Sequence, residues 1–99
     1  MVRDFSNYRR LCCAFRVVEG PLDLVISVRS GRGALIQTHY DVQRPYPAGE
    51  HLVRLDLAVI APKARPRPLD LSDVEAVQFF VCRPDVTRTV YVQRIWLEN

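Results

Sequence analysis

The sequence predicts an all-β fold, a sandwich of about six antiparallel strands in one domain. From residue 9 onward, apolar and polar residues alternate with a period of two in short runs, and turns that contain glycine or proline separate the runs. No window keeps apolar residues at the spacing i, i+3, i+4 and i+7 that a helix of ordinary length needs. The 99 residues suffice for one small core and leave no room for a second domain, so residues 1–99 are predicted to form a single domain.

The first half of the chain supplies the first strands. RLCCAFRVV ends at the turn of Gly20 and Pro21, and LDLVISVRS ends at the glycine-bearing turn Ser30–Gly33. ALIQTHYDV follows as a third strand, and Pro45–Gly49 breaks it. HLVRLDL resumes the alternation, and AVIA is expected to add a short helical turn.

The segment LDLSDVEAVQFFV contains two conflicting signals. Ser72 and Glu75 have the spacing of a capping box, which is typical of a helix N-terminus. The residues that follow alternate with a period of two and are mostly β-branched or aromatic, which favours a strand. We therefore predict one tight turn that feeds a strand, and then a last strand from Arg88 to about Glu98.

Apolar residues in the inner phase of these strands are predicted to form the core: Leu11, Phe15, Leu24, Ile26, Val53, Leu55, Val77, Phe79, Val81, Val92 and Ile95. Cys13 shares that phase and is predicted to be a small buried apolar residue. Cys12 points to the opposite face. Free thiols are expected at Cys12 and Cys82, although a bond between them across two strands stays open.

Composition excludes several classes of function. The net charge is +3, and its densest patch, APKARPRP, is an extended proline-rich loop rather than a basic face with aromatic residues placed to stack on bases. We therefore predict no nucleic-acid partner. No apolar run approaches the roughly 20 residues that span a bilayer, so this chain is not expected to insert into a membrane. Its localisation stays open, and is extracytoplasmic if the chain belongs to an exported or membrane protein.

Catalytic and metal-binding motifs are also missing from the sequence. His39 and His51 fall on different strands, without the H-x-E, C-x-x-C or paired-histidine spacing of a metal site. No G-x-S-x-G motif marks a nucleophile. The sequence therefore predicts a protein that is not an enzyme, with no metal and no cofactor.

Three segments match the motifs of a known family. DFSNYRRLCCAFRVVEG matches D-(W/F)-S-x-Y-x-x-L, PAGEHLVRLDL matches P-x-G-(W)-x-x-(V/L)-R-(I/L)-x-L, and RPLDLSDVEAVQFFV matches D-L-S-x-(I/V)-x-x-(I/V)-x-F. The chain thus resembles galactose-binding-like jelly rolls, the β-sandwich of many carbohydrate-binding modules. The resemblance implies a jelly-roll topology and a non-catalytic module of the kind attached to glycoside hydrolases and VanZ-like membrane proteins. Such relatives often carry one or two strands before the point where this chain begins.

Two departures from the family pattern bear on ligands. Gln93 and Arg94 stand where the family usually has Asp-Asn, so the carboxylate that commonly helps to hold a structural calcium ion is missing. Glu50 stands where the family often has tryptophan, which removes an aromatic residue that helps to form a sugar platform.

Candidate sugar contacts lie in the segment QTHYD and in the last strand. Sugar binding needs an aromatic face and a few convergent polar groups, and Gln37, His39, Tyr40 and Trp96 are the predicted contacts. Alternation places Gln37 and His39 on one face of the strand with Asp41, and Tyr40 on the other. In the alternative interpretation, Tyr40 is not a sugar contact but packs into the core, and the polar residues are solvated.

Trp96 is predicted to point outward, because its neighbours on the strand are core residues. Two hypotheses follow. The first is a carbohydrate-binding-like module that positions a larger protein on a glycan. The second is a structural or protein-interaction domain with a lost sugar site, which uses the Trp96 face for parent-protein domains or for self-association.

Overall fold

The computed structural model describes residues 4–31, 38–81 and 89–99. These residues form two three-stranded antiparallel sheets that pack together, which confirms the predicted all-β sandwich. The strands are β1 (Arg10–Val17), β2 (Leu22–Ser30), β3 (Thr38–Tyr46), β4 (Gly49–Asp56), β5 (Val74–Val81) and β6 (Val90–Glu98). The jelly-roll connectivity implied by the family resemblance stays a prediction.

Each sheet has one of the first two strands at its centre. The first sheet has the order β4-β1-β6, and the second has the order β3-β2-β5. Alternating residues of the two central strands enter the shared core, as the period of two requires. The fully buried residues of the central strands include Leu11, Phe15, Leu24, Ile26 and Val28.

Phe15 lies at the centre of an aromatic group in the core. Its ring centroid is 5.0 Å from that of Tyr46 and 6.2 Å from that of Phe79, both in edge contacts, and 5.5 Å from the His51 ring. Tyr46, at the end of β3, is buried, and burial raises the pKa of its phenol. Edge-to-face contacts of this kind join the two sheets at one end of the sandwich.

The core prediction is wrong for two residues of β6. Val92 and Ile95 pair with core residues of β1, but their exposed fractions are 45% and 43%. The reason is that β6 lies at the end of the strand order of its sheet, where inner side chains have neighbours on one side only. The alternation in the sequence therefore predicted which face of the sheet Val92 and Ile95 occupy, but not how deeply they are buried.

The turn before β5 forms as predicted. The Asp70 carboxylate accepts hydrogen bonds from the backbone N–H of Ser72 at 3.0 Å and from its hydroxyl at 2.5 Å. The backbone N–H of Asp73 donates to the Asp70 carbonyl at 3.1 Å. Ser72 thus serves a turn rather than a helix cap, and β5 begins at Val74.

The expected helical turn in AVIA is also present, as α1 (Leu57–Ile60), followed by a 3-10 turn at Ala61–Lys63. The Asp56 carboxylate caps α1 by accepting from the N–H of Ala58 at 3.1 Å. Across the described residues, no helix is long and apolar enough to cross a membrane.

Cys12 and Cys13 are buried free thiols on opposite faces of β1. Cys13 packs in the core, where burial raises its pKa to about 11, as expected of a small apolar residue. Cys82 lies outside the described residues.

Candidate functional site

The outer face of the sheet β3-β2-β5 carries a group of polar side chains and one aromatic ring. We call this surface the polar face, and it is formed by Arg29, His39, Asp41, Gln43, Gln78 and Phe80. Strand pairing arranges it in cross-strand rows. Gln43 and Phe80 flank Val25 of the central strand, while Asp41 and Gln78 flank Ser27.

Arg29 covers the middle of the polar face. Its guanidinium carbon lies 5.7 Å from the centroid of the Phe80 ring. Because Phe80 pairs with Val25, four residues before Arg29, the two side chains meet above Ser27. This accounts for Ser27, which is fully buried although its side chain points away from the core, and whose hydroxyl has no hydrogen-bond partner among the described residues.

The β3 side of the polar face is held by a hydrogen bond between its own residues. Nδ1 of His39 lies 3.1 Å from Oδ2 of Asp41, and both side chains are 41% exposed. The backbone of His39 also exchanges two hydrogen bonds with Arg65, at 2.9 and 3.0 Å, which join the proline-rich loop to the edge of β3. The imidazole and the carboxylate are thus held at fixed positions and remain accessible to solvent.

The outer face of the other sheet has a different chemistry. We call it the arginine-aromatic face, and it is formed by three cross-strand rows: Glu50, Arg16 and Tyr91; Leu52, Ala14 and Arg94; and Arg54, Cys12 and Trp96. Leu52 and Tyr91 are about half exposed, with exposed fractions of 49% and 53%.

Both aromatic rings of this face are paired with arginine. The guanidinium carbon of Arg94 lies 4.7 Å from the centroid of the Trp96 ring, and that of Arg16 lies 5.3 Å from the Tyr91 ring. Such cation-π contacts contribute about 0.5–1 kcal/mol at exposed sites.

Glu98 lies at one margin of the arginine-aromatic face and gathers several donors. Its carboxylate accepts from the Trp96 indole N–H at 3.3 Å and forms ion pairs of 3.3 Å with Arg10 and Arg54. The indole hydrogen bond is the main reason that the pKa of Glu98 lies below its usual value. Burial and the nearby Glu98 carboxylate raise the pKa of the Cys12 thiol, which lies beside Trp96.

The four predicted sugar contacts do not converge on one surface. His39 lies on the polar face with Asp41, as alternation predicted. Tyr40 packs partly buried against the core, as in the alternative interpretation. Trp96 points outward as predicted, but on the opposite side of the sandwich. Gln37 lies outside the described residues.

Sequence reasoning grouped Asp41 with His39 but missed the other residues of the polar face. Alternation had already placed Gln78 and Phe80 on the outward phase of their strand, which was the only available signal. Their neighbours across the sheet depend on the pairing of β2 with both β3 and β5. Strand order is a property of the folded chain, so Arg29, Gln43 and Gln78 could not be grouped from the sequence.

Within residues 4–31, 38–81 and 89–99, no group of three or more histidine, cysteine or acidic side chains could hold a metal ion. Comparison of the chain with protein-family models, curated proteins and solved structures finds no match.

Proposed function

We propose that the domain is a non-catalytic carbohydrate-binding-like module that positions a larger protein on a glycan, and that the glycan lies on the polar face. The observation that carries the proposal is the Phe80 ring, 43% exposed, on the same sheet face as the amide side chains of Gln43 and Gln78. The apolar faces of a sugar ring stack on aromatic side chains, while amides and carboxylates bond to its hydroxyls.

The spacing of the polar face suits an extended ligand. Neighbouring strands lie about 4.8 Å apart, and successive residues on one face of a strand lie about 6.6 Å apart. Asp41, Gln43 and Gln78 therefore offer donors and acceptors over an area comparable to a short oligosaccharide. A sheet also holds these groups in fixed positions, which reduces the entropy lost on binding.

The charge of the polar face favours neutral sugars. Arg29 and Asp41 carry opposite charges on neighbouring strands, and His39 bonds to that same carboxylate. Because these charges nearly cancel, an acidic glycan gains little from long-range attraction. Neutral hydroxyl groups, which both donate and accept hydrogen bonds, match the amide side chains better.

A glycan array tests the proposal. The purified, folded chain should bind a class of neutral sugars, and free sugar should compete. Gln78→Ala and Phe80→Ala should each weaken binding about tenfold, because each removes an interaction of about 1–1.5 kcal/mol. Leu52→Ala, on the opposite side of the sandwich, is the matched control and should bind normally. A blank array from folded protein, or unchanged binding by both variants, would refute the proposal.

The second candidate function is a structural or protein-interaction domain that uses the Trp96 face. The specific observation in its favour is that Arg94 already covers one side of the Trp96 ring, at 4.7 Å. Arginine and tryptophan together are typical of protein interfaces. Sedimentation velocity tests the self-association form, which Trp96→Ala should weaken and Phe80→Ala should not.

A further inference from the structure

A buried hydroxyl without a partner lies in the middle of the polar face. Ser27 of β2 is fully buried, and strand pairing places it between Asp41 of β3 and Gln78 of β5. Its hydroxyl forms no hydrogen bond with any residue in the ranges 4–31, 38–81 and 89–99. Most buried polar groups in proteins are hydrogen-bonded, because an unpaired one has lost its bonds to water without replacement. The hydroxyl of Ser27 therefore lowers the stability of the unbound domain.

The direction of the Ser27 side chain indicates from which side a partner would come. Ile26 and Val28, its neighbours on β2, are fully buried in the core, so Ser27 points to the opposite side, toward the polar face. An alanine would fill nearly the same space there without an unpaired polar group. The hydroxyl is thus suited to a polar group that approaches from outside the sheet.

The cover over Ser27 is formed by two side chains. The guanidinium of Arg29 and the ring of Phe80 meet above it, with 5.7 Å between the guanidinium carbon and the ring centroid. Arg29 is half-buried and Phe80 is 43% exposed, so both side chains reach solvent. Rotamer changes of solvent-exposed side chains are fast and leave the backbone hydrogen bonds of a sheet intact. Rotation of Arg29 therefore uncovers Ser27 while β2 stays paired with both of its neighbours.

We propose that a glycan displaces the Arg29 side chain from Phe80, and that the uncovered Ser27 hydroxyl then bonds to a sugar hydroxyl. This inference rests on the proposed function and deepens it, because it names the residue that selects a hydroxyl and the side chain that moves on binding. The displacement also frees the Phe80 ring from its arginine contact, so that a sugar ring stacks on it.

The neighbours of Ser27 complete this contact. Directly opposed residues on neighbouring strands have Cβ atoms about 4.5–5.5 Å apart, so adjacent hydroxyls of one sugar ring reach Ser27 together with Asp41 or Gln78. A hydroxyl both donates and accepts, and therefore suits the serine hydroxyl, the carboxylate and the amide alike. A sugar without a hydroxyl at this position leaves Ser27 unpaired, and such sites discriminate strongly against the analogue that lacks the group.

Ser27→Ala tests the inference because it should change stability and binding in opposite directions. Removal of an unpaired hydroxyl should raise the urea midpoint by at least about 0.5 M. The same variant should bind the neutral oligosaccharide with the strongest signal on the glycan array about tenfold more weakly. Ser30→Ala is the matched control, since Ser30 is a buried serine of the same strand whose hydroxyl accepts from the backbone N–H of Asp70 at 3.1 Å. It should lower the urea midpoint and leave binding of the oligosaccharide unchanged.

Arg29→Gln tests the displacement separately. Without the guanidinium, the oligosaccharide no longer has to break the contact with Phe80, so this variant should bind it about two- to fivefold more tightly than the wild type. Isothermal titration calorimetry measures both affinities, and circular dichroism confirms that each variant is folded.

The results separate this inference from the glycan proposal. Binding of the oligosaccharide by the wild type and equally by Ser27→Ala would overturn the inference and leave the glycan proposal intact. Destabilisation by Ser27→Ala would show that the hydroxyl is bonded in the unbound domain, and weaker binding by Arg29→Gln would make Arg29 a direct sugar contact. Either result overturns the inference as well. A blank array from folded wild-type protein would refute both proposals.

Discussion

Phe15→Ala tests the position of the core directly. The Phe15 side chain is fully buried and its ring contacts the rings of Tyr46, His51 and Phe79. Truncation of a buried phenylalanine to alanine costs about 3–5 kcal/mol, and the loss of several ring contacts places this case near the upper end. With an m-value of about 1.5 kcal/mol per molar, a loss of about 4.5 kcal/mol lowers the urea midpoint by about 3 M.

Urea unfolding followed by far-UV circular dichroism measures this change, and Phe80→Ala is its matched control. Phe80 is on the outer face with an exposed fraction of 43%, so the same truncation there should cost less than about 1.5 kcal/mol. A cost below about 2 kcal/mol for Phe15→Ala, or equal costs at the two positions, would refute the placement of Phe15 at the centre of the core.

Three further predictions concern the thiols, the pH dependence and the turns. Cys12 is fully buried beside Trp96, so Trp96→Ala should raise the rate of Cys12 alkylation in the folded protein at least tenfold. Because the pKa of Glu98 is lowered, its contribution to stability is complete above the ordinary value of 4.5 and is lost as pH falls through the lowered value. Glu98→Gln should therefore make stability fall less steeply at acidic pH. Gly20→Ala should destabilise more than Gly49→Ala, because a Cβ at residue 20 would meet backbone at 2.5 Å, whereas residue 49 has open space and only a strained φ of +123°.

Each of these has a measurement and a contrary result. Mass spectrometry of the labelled peptide reads the alkylation rate, and the first prediction fails if Cys13 becomes reactive together with Cys12, since that indicates general unfolding. Urea midpoints between pH 3 and pH 6 test the second, and parallel curves for wild type and Glu98→Gln would contradict it. The third fails if Gly49→Ala is the more destabilising substitution in thermal unfolding.

Much of the fold could be predicted from the sequence because its signals are local. The alternation in RLCCAFRVV and LDLVISVRS established the strands and their inner phase, and Leu11, Phe15, Leu24 and Ile26 are buried as predicted. The conflict in LDLSDVEAVQFFV was resolved by the same period, since the alternation outweighs one capping signal. The degree of burial was harder to predict, because Val92 and Ile95 point to the inner face but lie on a strand at the end of its sheet.

The candidate site was less accessible to sequence reasoning. His39 and Asp41 were grouped correctly, because they are two residues apart on one strand. Trp96 was predicted to point outward, and it does, but nothing in the sequence indicated that Arg94 would lie over its ring. Such a contact depends on which rotamers the neighbouring strands allow.

The sequence by itself determined the class of the fold, the strands and the face to which each side chain points. These depend on the alternation of apolar and polar residues along the chain, which is a local property. Only the tertiary structure decided the strand order, and with it which outward residues share a surface. Pairing of β2 with β3 and β5 assembles the polar face, and pairing of β1 with β4 and β6 assembles the arginine-aromatic face. The physical reason is that strands far apart in the chain pair through backbone hydrogen bonds. These bonds are nearly the same whatever the side chains are, so the sequence does not indicate which side chains become neighbours.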